Sequence, residues 1–237
     1  MYLDQLTKKE FSEKVNENTV VILPIGATEE HGDHLPLSTD SLQPEFIAEK
    51  VAKAAGALIA PPIRYGLCAS TRNFPGTITL SFDTLRALVY DILSELCRNK
   101  IKNIVVLSGH AGRVHMAALR QAAEKVVREN KVKIMVLSDY DIAYELIQID
   151  MSIPDDDGHA GLIETSRMLD IREDLVKGKG VAGKTRPPKY MILPDPEKHF
   201  PTGVMGYPED ASKVKGDQIN DFIIKELVKL IKNLGKG

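Results

Sequence analysis

Apolar residues fall along the chain in two rhythms. Short apolar-rich runs, Val20 to Leu23, Leu58 to Ala60, Ile104 to Leu107 and Val132 to Leu137, read as strands, the first of them uncharged, β-branched and buried. Pro24 and Gly26 end the first run, Pro61 and Pro62 the second. Thr77 to Leu80 alternates like a further strand. Between the runs, apolar residues recur at helical spacing. Thr7 to Glu17 predicts a short helix with Thr7 and Glu10 closing a capping box. Ser41 to Ala55 predicts a second helix that Gly56 stops, and Asp83 caps a third through Asn99. Val114 to Glu129 and Ser212 to Leu234 follow the same pattern, as does a segment opened by Asp155 to Gly161 that carries Glu164 and runs to about Ile171. Helices alternating with short apolar strands predict α/β architecture, with a mostly parallel central sheet and helices on both faces. The 237 residues fit one such domain, spanning 1–237.

The polar residues concentrate where strands end. After Val20 to Leu23 come Thr28, Glu29, Glu30, His31, Asp33, His34 and Asp40; after Ile104 to Leu107 come Ser108, Gly109, His110, Gly112 and Arg113. In open α/β sheets the carboxyl ends of strands form the ligand crevice, so the two clusters are expected to converge on one site. The segment from Arg64 to Gly76 is too punctuated for a regular element and is expected to wall that site. Ser138 to Asp141 reads as a polar exit from its strand. A long basic loop spans Arg172 to Pro208, with Lys177, Lys179, Lys184, Arg186 and Lys189 in a solvated stretch.

Composition narrows the function classes. A formal net charge of −2 gives no global case for nucleic acid or an anionic membrane as partner. The amino terminus lacks the basic-then-apolar order of a signal peptide, and no stretch approaches ~20 apolar residues, so a cytoplasmic protein is expected. Cys68 and Cys97 form no paired motif; both are expected to be small apolar fillers, with Cys68 lining the Arg64 to Gly76 wall.

Glu29, His31 and Asp40 are donors that zinc, manganese or ferrous iron accept, and His110 adds a fourth. A carboxylate can bridge two metals, a common way to activate water, and Asp40 is the candidate bridge. Glu164 is expected either to complete a second metal's shell or to accept a proton from water. His159 is expected to donate a proton to a leaving nitrogen. Glu30 and Asp33 read as supporting or solvent-facing groups, and His34 and His115 as packed. Asp155 to Asp157 lack the alternating spacing of a calcium loop. Arg72 and Arg113, inside the two site-forming loops, are candidates for binding an anion.

Four ordered motifs resemble the creatininase family of metal-dependent amidohydrolases: Gly26-x-Thr28-Glu29-x-His31-Gly32-x-His34-Leu35-Pro36-Leu37-x-Thr39-Asp40, Phe74-Pro75-Gly76-Thr77-Ile78, Gly109-His110-x-Gly112 and His159-Ala160-Gly161-x-x-Glu164-Thr165-Ser166. The resemblance implies a three-layer α/β/α sandwich assembled as a homo-oligomer, often a hexamer, with two divalent metals hydrolysing a non-peptide C–N bond. It implies that Glu29, Asp40 and His110 hold one metal, and that His31, Asp40 and a further acid hold the other. The family's acid two residues after the motif histidine is Gly112 here, and Glu164 is its natural replacement. Ser108, Arg113 and Thr71 stand where many members carry Asn, Asn and His, which implies an altered substrate pocket. Within the family, the chain looks most like the archaeal-type branch that releases formate from a formylaminopyrimidine nucleotide. That likeness implies a small anionic substrate and ferrous iron or zinc, with manganese a third choice. The lack of any tryptophan counts against an aromatic clamp for a small cyclic substrate. Creatinine or a peptide-derived cofactor precursor as substrate, or a metal-binding subunit without turnover, are the alternatives.

Overall fold

A computed structural model describes residues 1–150, 153–183, 186 and 188–234, with the side chains of 146–150 excluded. Lys184 and Pro187 of the basic loop lie outside the described residues. Four parallel strands form one sheet in the order β2-β1-β3-β4, where β1 is Val20–Ile25, β2 Leu58–Ile59, β3 Asn103–Ser108 and β4 Lys133–Ser138. Every residue of β1 and β3 is buried, as expected for central parallel strands covered on both faces.

Alternate strand residues feed two cores. Val20, Ile22, Val105 and Leu107 face α2 (Thr39–Ala55), α5 (Asp139–Asp150), α6 (Leu162–Arg172) and α7 (Lys213–Leu234). Val21, Leu23, Ile25, Ile104 and Val106 face α3 (Phe82–Arg98) and α4 (Arg113–Glu129), with Phe11 of α1 (Lys8–Lys14) packed at the edge. The result is the expected α/β sandwich of helices, sheet and helices.

Several local expectations change. Pro24 continues β1 instead of ending it: its carbonyl accepts from Ile63 N at 3.0 Å, so its missing N–H faces the side where β2 has already stopped. Thr77 to Leu80 forms no strand, and Ile78 makes a single antiparallel bridge to Thr28. Ser81, not Asp83, caps α3, accepting from Thr84 N at 3.2 Å. The exit from β4 is the start of α5, whose Tyr140 N–H is capped by the Ser138 hydroxyl at 3.2 Å. Helix α6 starts at Leu162, after the Asp157 carboxylate accepts from Leu162 N and Ile163 N at 2.8 and 3.1 Å. The Thr7–Glu10 capping box is present. Among the described residues no helix is long and apolar enough to cross a membrane.

Candidate metal centre

Strands β1 and β3 run in register, Ile25 beside Ser108, so the chain leaves both at the same edge. The loop after β1 turns back through Gly32, whose φ of +64° favours glycine. It delivers Asp40 to the first turn of α2, where the helix N-terminus favours a carboxylate. At Gly109 a side chain would collide with the Asp40 backbone oxygen and the Pro44 ring. This close crossing of β3 and α2 sets Asp40 between the two polar clusters.

Six side chains meet there, none more than half exposed: Glu29, His31, Asp40, His110 and Glu164 are buried, and His159 is half-buried. His110 Nδ1 lies 2.9 Å from Glu29 Oε2 and 3.0 Å from Asp40 Oδ2. His31 Nε2 lies 3.1 Å from Asp40 Oδ1 and 3.7 Å from Glu164 Oε2. Asp40 thus turns one oxygen to each histidine, the geometry of a bridging carboxylate. Backbone carbonyls hold the far side of each ring: Leu67 O faces His110 Nε2 at 3.0 Å, and Glu29 O faces His31 Nδ1 at 3.1 Å. A proton on those outer nitrogens leaves His110 Nδ1 and His31 Nε2 free to ligate.

The electrostatics fit a cation. Burial opposes the charge on Asp40, yet His31 and His110 outweigh it and hold the carboxyl well below its usual range. Burial likewise pushes His31 down, but Asp40, Glu164 and Glu29 raise it to about 10. His110 rises well above its ordinary value against burial through Glu29 and Asp40. Glu164 goes up because burial outweighs His31 and His159. Metal-free, the cluster relies on imidazolium protons to balance its carboxylates. Glu29 Oε2 and Asp40 Oδ2 are nevertheless buried without a hydrogen-bond partner, as donors aimed at a cation would be.

The structure brings together the five residues expected as metal ligands. His159 joins them, its ring centroid 4.3 Å from that of His31, with Nε2 held by the Glu30 carbonyl at 2.8 Å and the Glu30 carboxylate at 3.3 Å. Two residues expected to touch substrate do other work. Thr71 is fully buried and its hydroxyl donates to Glu29 Oε1. Ser108 is fully buried too, its hydroxyl donating to the His110 carbonyl at 2.8 Å and facing His115 Nε2 at 3.2 Å. His115 Nδ1 accepts from Leu67 N at 3.2 Å, so Nε2 carries the proton toward Ser108. Burial, with His110 adding, pushes His115 down to about 3, and it stays neutral. Arg72 and Arg113 are exposed, with no hydrogen-bond or ion-pair partner among the described residues.

Glu30 takes the supporting role expected of it, whereas the parts played by Thr165 and the basic loop escaped the pattern reading. Glu30 positions His159, and Thr165 Oγ1 lies 2.9 Å from His34 Nε2. The lysines of the basic loop, Lys177, Lys179 and Lys189, stand in solvent as expected, but its backbone also packs onto the site: Lys177 N donates to His34 O, Met205 N donates to His159 O, and Gly203 touches the Glu30 carboxylate. The glycines at 180, 183, 203 and 206 were the available signal, since close backbone approach needs them.

Residues 4–231 match the family model for creatininase, described as creatinine amidohydrolase. The creatinine amidohydrolase of Pseudomonas putida is 30% identical over 98% of this chain and 96% of its own length. A mycofactocin precursor peptide peptidase from Mycolicibacterium smegmatis is 31% identical over 84% of this chain and 79% of its own. A creatininase structure described as the Mn form superposes with a TM-score of 0.88 at 28% identity, covering 100% of this chain and 99% of that one. A mutant creatininase of Zn–Zn type gives 0.86 at 28%, covering 100% and 98%.

Proposed function

The chain belongs to the creatininase family and is a hydrolase of carbon–nitrogen bonds; on that premise we propose that it removes formate from 2-amino-5-formylamino-6-ribosylaminopyrimidin-4(3H)-one 5′-phosphate, a step toward riboflavin and the deazaflavin coenzyme. The observation that carries the hydrolytic reading is the split of Asp40, Oδ1 toward His31 and Oδ2 toward His110. Glu29, Asp40 and His110 would hold one divalent cation, and His31, Asp40 and Glu164 a second. Ferrous iron or zinc fits these donors, as does manganese. When bound, such cations acidify water and polarise the scissile carbonyl.

The remaining work falls to side chains. Thr71 and the Leu67 carbonyl fix Glu29 and His110. Burial and His31 push His159 down, but the Glu30 hydrogen bond, Glu29 and Glu164 bring it above its ordinary value. Held by Glu30 beside the cluster, His159 gives a proton to the departing amine as the C–N bond breaks. Glu164 lies across the cluster to accept the proton that water loses on adding to the formyl carbon. Arg72 and Arg113, exposed and without carboxylate partners among the described residues, bind the 5′-phosphate.

Formate release from the formylaminopyrimidine nucleotide, measured beside creatinine, tests this. Activity toward the nucleotide that Glu29→Ala abolishes, and that Arg113→Ala weakens through KM with little change in kcat, is expected. Creatinine turnover without formate release would overturn the substrate reading and leave the metal centre standing. The likeness to the peptidase favours a second reading, hydrolysis of a precursor peptide, tested by offering such a peptide to the same preparation. A cytoplasmic homo-oligomer, a hexamer, belongs to the same proposal; sedimentation of the metal-loaded protein reads its size.

A further inference from the structure

Cys68 is fully buried in the segment that follows β2. Its sulfur, a Glu29 carboxylate oxygen and a His110 ring nitrogen all lie within 4.8 Å of one another. A separate feature says that this group faces a ligand. Glu29 is 1% exposed and Asp40 2%, and in each the oxygen facing His110 Nδ1 has no hydrogen-bond partner. The other Glu29 oxygen is already taken by the Thr71 hydroxyl. The carbonyl that orients His110 belongs to Leu67, the residue before Cys68, so one short stretch of backbone both aims the imidazole and delivers the sulfur.

We propose that Cys68 Sγ is a ligand of the cation held by Glu29, Asp40 and His110, which makes that position a four-donor site selective for thiophilic ions. The inference rests on the metal centre proposed above. Sulfur donors favour zinc and iron, whereas carboxylate and water suit manganese and magnesium. Forming the sulfur–metal bond breaks the S–H bond and releases the proton to solvent. The second position, with His31, Asp40 and Glu164, has only three protein donors and keeps a place for water, as catalytic zinc sites do. The two positions thus divide the labour: the first anchors, the second stays open.

X-ray absorption of the zinc-loaded wild-type protein tests the assignment directly, after the bound zinc has been counted. A sulfur shell at about 2.3 Å is expected. It persists in Cys97→Ala, whose thiol sits half-buried on α3, and disappears in Cys68→Ala. The cobalt-loaded protein is expected to show a near-ultraviolet sulfur-to-metal charge-transfer band with the same dependence. In competition, Cys68→Ser is expected to lose at least about tenfold of the preference for zinc over manganese. Bound zinc with only nitrogen and oxygen neighbours in the wild type would overturn the proposal while leaving the metal centre intact. A wild type that binds no zinc would overturn both. Since the deciding spectrum is that of the wild type, a variant that fails to fold does not rescue the idea.

Discussion

At the scale of single residues, the cluster behaves as a set of acids and bases waiting for a cation. His31 is protonated at neutral pH, with its value raised from 6.5 to about 10, and a metal must displace that proton. Cation affinity is therefore expected to rise with pH through the interval from 6.5 to about 10, with proton release visible as buffer-dependent heat in calorimetry. The same shift governs the stability of the metal-free protein. A raised folded-state value adds stability that is complete below the unfolded value of 6.5 and is lost as pH climbs toward about 10. Urea midpoints of metal-free protein should fall across that window, and a flat profile would contradict the pairing of His31 with Asp40. Replacing the bridge is expected to cost both ions: Asp40→Ala should bind almost no metal, whereas Glu164→Gln should lose only the His31 position. Ser108→Ala leaves every ligand in place but unties the His110 turn, and about 10–100-fold weaker metal binding is expected. Glu29, His31, Asp40 and His110 were readable from their types and spacing. The parts played by Thr71 and Ser108 were not, and Glu30 was readable as a supporting group but not as the partner of His159, because each depends on a partner 2 to 129 residues away that only the fold supplies.

At the scale of elements, the site is as rigid as the contacts between helix starts and strand ends. Gly109 lets β3 pass against the first turn of α2, so Gly109→Ala is expected to destabilise the protein by about 1–3 kcal/mol. The same change should shift Asp40 and lower metal content, which separates it from an ordinary packing defect. Helix α6, which carries Glu164, is tied to α5 and α7 by Arg167. Fully buried, Arg167 donates to Asp139 Oδ2 at 2.7 Å and to Asn220 Oδ1 at 2.9 Å. Arg167→Ala would strand the buried Asp139 carboxylate, and a loss of about 3–5 kcal/mol in chemical denaturation is expected. Neither α5 nor this tie was foreseen, since Ser138-Asp139-Tyr140-Asp141 carries the composition of a turn. Tertiary burial of Tyr140, Ile142 and Ala143 makes it a helix. Thr77 to Leu80 failed in the opposite sense: its alternation is that of a strand, but among the described residues no neighbouring strand pairs with it beyond the Thr28 bridge.

At the scale of the whole molecule, a parallel sheet gathers chain segments far apart in sequence at one edge, and the resident ions would lock them there. Saturating cation is expected to raise unfolding stability, by about 2.7 kcal/mol for one site at a hundred times its Kd, and a chelator should reverse the gain. The alternation of strands and helices, the α/β class and the residue types of the metal cluster were legible along the chain, because they follow from local periodicity and from which side chains can hold a cation. The packing turns one Asp40 oxygen to each histidine, as expected of a bridge, and it alone makes Thr71 and Ser108 serve the ligands, lays the basic loop over the site and stands Cys68 beside Glu29. Those relations depend on distances across elements, and distance is set by how two cores pack on a sheet, not by the order of residues along the chain.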